Sequence, residues 1–95
     1  MGKIRIKDED DLKGMRKACQ LTKSILDAVG EIVKPGVPTE EINTFVHERT
    51  LEAGAVPAPL DYKGFPKSTC TSLNDVICHG IPCAEDVLKE GDIIN

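Results

Sequence analysis

A chain of 95 residues with net charge −4 and a pI near 5.1 has scattered basic residues and no stripe of Lys and Arg to neutralise a row of phosphates, which argues against nucleic acid as its main partner. The hydrophobic fraction of 40% and charged fraction of 29% fit an ordinary globular protein, while aromatics at 3% (Phe45, Tyr62, Phe65) are too few for a base-stacking platform. No apolar run approaches the ~20 residues that span a bilayer, so no membrane partner is expected.

The length suits one small domain, which buries roughly 60–65% of its unfolded surface. Met1-Gly2-Lys3-Ile4-Arg5-Ile6 lacks the apolar segment of a secretory signal, and Ile6 stands where a myristoylation pattern needs Ser or Thr. The cysteines Cys19, Cys70, Cys78 and Cys83 show no paired spacing of a disulfide scaffold. A cytoplasmic protein is the expectation.

Residues 8–33 read as an amphipathic helix. Leu12, Met15, Cys19, Leu21, Ile25, Val29 and Ile32 recur at steps of two to four. Asp8 is placed to cap the first turn, where Glu9, Asp10 and Asp11 meet the positive end of the helix dipole. Lys34-Pro35-Gly36 ends it. A second helix is expected over about 39–53, with Thr39 as N-cap, Ile42, Phe45 and Val46 as its apolar face, and Gly54 as a left-handed stop. His47, between polar neighbours Glu48 and Arg49, is expected on the solvent side and is set aside as a surface residue.

Pro57, Pro59, Gly64 and Pro66 make 55–67 a loop. Short strands are expected over 69–73 and 76–78, joined at Asn74-Asp75 as a hairpin. Lys89-Glu90-Gly91-Asp92 is a turn, and Ile93-Ile94-Asn95 opens a further strand that needs a partner for its backbone groups. Helices first and strands after give an α+β arrangement. Asn95 reads as a truncation point within a domain.

The chemistry concentrates at His79. It is followed by Gly80, where another backbone or a substrate can come close, and by Pro82, which fixes the exit direction. An imidazole so placed can donate a hydrogen bond or move a proton. A lone histidine is also commonly structural, so the residues alone leave both roles open. Cys70, Cys78, His79 and Cys83 are zinc-ligand types, but their spacing is poor, and adjacent Cys78 and His79 point to opposite faces of a strand. A nucleophilic Cys–His pair needs Cys70 or Cys83 as nucleophile, and no third group supports it.

Four blocks in order, Lys34-Pro35-Gly36-Val37, Asp61-Tyr62-Lys63-Gly64-Phe65-Pro66-Lys67-Ser68, Ser72-Leu73-Asn74-Asp75-Val76-Ile77-Cys78-His79-Gly80-Ile81-Pro82 and Glu90-Gly91-Asp92-Ile93-Ile94-Asn95, closely resemble type I methionine aminopeptidases. The resemblance covers essentially the whole chain. It implies the N-terminal half of a pita-bread fold, with two helices followed by antiparallel strands, and makes residues 1–95 the N-terminal part of a single catalytic domain. It implies removal of the initiator methionine from nascent peptides near the ribosome, by a monomeric enzyme using two divalent metal ions (cobalt, manganese, iron, zinc or nickel). His79 is implied to be catalytic, hydrogen-bonding the substrate near the scissile amide. Tyr62, Phe65 and Cys70 match positions that wall the methionine pocket, an environment suited to a thioether. Pro59 stands where some members carry cysteine, Phe65 replaces a common tyrosine, and Cys83 is peripheral.

The family's metal ligands, two aspartates, a histidine and two glutamates, are expected beyond Asn95. None of the carboxylates present substitutes for them, so these residues alone are expected to be inactive. The alternative reading is a non-catalytic relative that binds a partner or nascent peptide through the His79 wall.

Overall fold

The computed structural model describes residues 2–95. Helix α1 spans Glu9–Ile32 and helix α2 spans Thr39–Glu52, followed by a short 3-10 turn at Tyr62–Gly64. Both helices lie where apolar spacing and the Lys34-Pro35-Gly36 stop place them. Asp8 caps α1 as expected, within a reciprocal box: its side chain accepts the Asp11 N–H at 2.8 Å, while Asp11 accepts the Asp8 N–H at 3.1 Å. Gly54 takes φ +75 and gives its N–H to the Leu51 carbonyl at 2.9 Å, the left-handed stop the sequence suggests.

The start of α2 differs from expectation. The N-cap residue is Pro38, not Thr39, and no side chain caps the helix. Backbone carbonyls from a distant loop take the role instead: Asp86 O accepts the Thr39 N–H at 2.9 Å and Cys83 O accepts the Glu40 N–H at 3.2 Å. Thr39 is fully buried as the first helical residue. Its hydroxyl donates to Cys83 O and accepts from Cys83 N–H, both at 3.0 Å. Residues 36–39 and 86–88 thus run antiparallel, with Gly36 N–H donating to Leu88 O and Leu88 N–H to Val37 O.

The expected hairpin of 69–73 with 76–78 is not formed. The Asn74-Asp75 turn is present, closed by Val76 N–H donating to Leu73 O at 3.0 Å. A two-residue loop there would set Thr71 opposite Cys78. Thr71 N–H instead reaches Gly80 O at 2.8 Å, two residues further on. The surplus residues bulge outward, leaving Ile77 89% exposed. The partner of 72–74 is 93–95: Ser72 and Asn95 exchange both backbone bonds at 2.8 and 2.9 Å, and Asn74 N–H donates to Ile93 O. Pairing among the described residues is confined to isolated antiparallel bridges, Pro38 with Val87 and Leu73 with Ile94.

The interior is small and largely polar. Ile42 and Leu88 are its buried hydrophobic side chains, whereas Thr39, Asn43, Thr50, Ser68, Thr71 and Ser72 are buried polar ones. No residue of α1 is buried. The Cα radius of gyration is 15.3 Å, against about 12 Å for a compact domain of this length. Half-buried Ile25 and Val29 of α1 and Val46 of α2 therefore border an open groove of about 580 Å³. No helix among the described residues is long and apolar enough to cross a membrane.

Candidate functional site

The loop after α2 and the bulge before Pro82 meet in a cavity of about 450 Å³. Pro59, Tyr62, Lys63, Gly64, Phe65 and Pro66 come to it from the first segment, and His79 and Ile81 from the second. The first segment is shaped by local hydrogen bonds: Tyr62 N–H donates to Pro59 O, Phe65 N–H to Tyr62 O and Asp61 N–H to Phe65 O, at 2.9–3.1 Å. Such a closed turn forces left-handed backbone, φ +63 at Asp61 and +49 at Lys63, beside Gly64 at +82. His79 is left-handed too, at φ +55. Non-glycine residues pay to adopt this region, and such strain gathers where a site is held in one shape. Among the described residues the only other non-glycine case is Asn74, in its turn.

Gly80 explains how His79 is held. Its N–H donates to Ser72 Oγ at 3.2 Å, and its carbonyl accepts from Thr71. A Cβ on Gly80 would overlap the backbone carbonyl of Thr71, so the close backbone approach suggested by the sequence takes place, and only glycine permits it. Pro82 behind it is fully buried and fixes the exit. His79 itself is exposed at the cavity rim, so its imidazole is free to meet a ligand.

The expected site residues divide. His79, Tyr62 and Phe65 share the cavity, and Pro59 lies with them. Cys70 does not: it borders the groove between the helices, with Thr71, whose buried hydroxyl has no partner among the described residues. The cavity lining is apolar and aromatic, with the Lys63 ammonium 5.5 Å from the Tyr62 ring centroid. Its size falls in the range of small-ligand pockets.

The four cysteines are free thiols. Burial pushes the Cys83 thiol above its ordinary pKa, and Asp86 beside it adds to the rise. Cys83 therefore stays a protonated, poor nucleophile at neutral pH. Among the described residues, no three of His, Cys, Asp and Glu gather where they can hold a metal ion.

One contact overturns a sequence expectation. His47 is half-buried, not on the solvent side, and its Nδ1 shares a 2.7 Å hydrogen bond with Ser68 Oγ. The signal was present in α2: Glu40, Asn43 and His47, at i, i+3 and i+7, make one polar stripe on a helix whose opposite positions are also polar. Periodicity alone does not say which polar stripe is covered.

Comparison with known proteins places this geometry in context. The model of metallopeptidase family M24 matches residues 13–95. Methionine aminopeptidase 1 of Saccharomyces cerevisiae is 50% identical over 95 residues, all of this chain and 24% of that protein. Methionine aminopeptidase 1A of Arabidopsis thaliana is 49% identical over 92 residues, 97% of this chain and 23% of that protein. The chain thus spans about a quarter of the length of these relatives. The crystal structure of methionine aminopeptidase from Rickettsia prowazekii superposes with TM-score 0.93 at 48% identity, over 97% of this chain and 37% of that one. The Thermotoga maritima enzyme gives 0.93 at 35% identity with the same coverage. The α+β pita-bread class expected from the sequence is borne out by these superpositions, although regular strand is scarce here.

Proposed function

The chain belongs to metallopeptidase family M24, and from that membership we propose that it forms the substrate-side wall of a methionine aminopeptidase active site. The observation that carries this reading is the cavity in which Tyr62, Phe65 and His79 meet. Aromatic and apolar walls suit a thioether, which gains from sulfur–ring contact and from leaving water. His79, held at the rim on a strained backbone, donates to the substrate next to the scissile amide and steadies the developing oxyanion. Cys70 enters the reading on the resemblance alone, since it borders the neighbouring groove.

A metallopeptidase family implies divalent metal. The residues of this chain do not fit such ions by themselves, because no ligand cluster forms among those described. In this reading the chain's share, as the N-terminal part of a catalytic domain, is to bind and orient the substrate. Removal of the initiator methionine from nascent proteins in the cytoplasm, by a monomer with two divalent ions, is the activity proposed for the complete protein.

The test has two arms. Titration of the chain with L-methioninol, the amino alcohol of methionine, followed by NMR, is expected to shift the ring signals of Tyr62, Phe65 and His79. Equal shifts with alaninol, or none, sink the pocket. A Met-Ala-Ser peptide with cobalt or manganese is expected to remain uncleaved, and turnover that disappears in His79→Ala overturns the inactivity. The non-catalytic alternative uses the same wall, and the coding sequence after codon 95 separates the two. Two aspartates, a histidine and two glutamates in family register support the enzyme, and their absence supports the binding protein.

A further inference from the structure

The stripe on α2 touches consecutive residues of the segment that joins the two sides of the cavity. Glu40 pairs with the Lys67 ammonium at 2.8 and 2.9 Å. Asn43 Oδ1 accepts the backbone N–H groups of Ser68 at 2.8 Å and Thr69 at 3.3 Å. His47 Nδ1 meets Ser68 Oγ at 2.7 Å. Upstream of this clamp stand Phe65 and Pro66 on the cavity wall. Downstream, Thr71 hands its N–H to Gly80, the residue next to His79.

We propose that His47 is a positioning residue: by fixing the Ser68 hydroxyl it sets the spacing between the Phe65 side of the cavity and the His79 side. The proposal rests on the methionine-pocket reading for its ligand, but not for its geometry.

The contact is specific enough to act this way. Ser68 is 4% exposed, so its hydroxyl has little water to fall back on if His47 is lost. Glu40 and Lys67 are partly solvated and supply a weak tether by comparison. Asn43 already uses its carbonyl on two backbone groups and holds the main chain, not the side chain, of Ser68. His47 is therefore the group that fixes how the Ser68 side chain is turned, and it ties the segment to α2 at a point that Asn43 does not hold. His47 does not line the cavity, so its effect on binding passes through this segment.

His47→Ala and His47→Asn separate positioning from bulk stability, because an asparagine amide can occupy the place of Nδ1. In the ligand-free chain, His47→Ala is expected to move the ring signals of Phe65 and His79, and His47→Asn to restore them. Affinity for L-methioninol is expected to fall about threefold to tenfold in His47→Ala, in the lower part of the range for coupled neighbours. Ser68→Ala should give the same loss, and the double variant no more than either single one. Ring signals unmoved in His47→Ala, or moved equally in His47→Asn, overturn the proposal, as does a loss that tracks only the urea midpoint. If the unaltered chain does not bind L-methioninol, the methionine reading fails, and the ring signals decide the positioning role by themselves.

Discussion

Helix α1 and the segment 67–82 invert the usual relation between regularity and burial. The helix has 24 regular residues and buries none of them. The segment has no regular element, yet Ser68, Thr71, Ser72 and Pro82 are all buried. α1 is stabilised by contacts within its own turns, the Asp8–Asp11 box and the Lys23–Asp27 pair at 2.6 Å. The segment is stabilised by partners far along the chain, α2 on one side and residues 93–95 on the other. A local device can be removed at small cost, whereas a side-chain acceptor shared by two backbone donors cannot.

The sharpest way to break the irregular region is Gly80→Ala. The new methyl meets the Thr71 carbonyl, and overpacking against fixed backbone costs about 3 kcal/mol. A urea melt should show it, and unchanged stability would mean that 71 and 80 are not held together. Asn43→Ala comes next: it orphans the Ser68 and Thr69 donors, for a loss of about 2 kcal/mol. Amide exchange at those two residues should accelerate, and continued protection would contradict the clamp.

The regular region should prove more tolerant. Asp8→Ala removes the α1 cap, at a cost of about 1 kcal/mol, read as fraying of residues 9–12 by hydrogen exchange. Lys67→Ala breaks a partly solvated ion pair and should cost about 0.5 kcal/mol, screened further by salt. A loss as large as that of Asn43→Ala would move the weight of the clamp to Glu40.

The smallest effect is a pH response at the edge of the pairing. Hydrogen bonds from the Asn74 side chain and from Lys89 N–H hold the Asp92 carboxyl below its ordinary pKa. A depressed carboxyl contributes stability that is present above the unfolded pKa and is lost as pH falls through the folded one. The Asn74 side-chain amide signal should therefore stay constant at neutral pH and shift only on acidification below the ordinary carboxylate range.

Much of this fold could be read before any coordinates. The ends of α1, the Gly54 stop, the Asn74-Asp75 turn and the turn at 89–92 all depend on dihedral preferences and hydrogen bonds spanning a few residues. The grouping of Tyr62, Phe65 and His79 was also legible, because the motifs that carry the resemblance contain them. The α2 cap, the hairpin register and the place of His47 were not. Thr39 is bonded to Cys83, 44 residues away, and His47 to Ser68, 21 residues away. Nothing in the local pattern marks those partners.

By itself, then, the sequence determined where α1 begins and ends, where α2 stops, where the chain turns, and that Tyr62, Phe65 and His79 belong together. Those features follow from steric and hydrogen-bond preferences that act within one or two turns of chain. Only the tertiary structure decided which polar groups are buried, that Thr71 pairs with Gly80 instead of Cys78, and that Cys70 stands apart from the cavity. These depend on which distant donor finds which acceptor once the chain closes on itself, a choice that local preferences leave open.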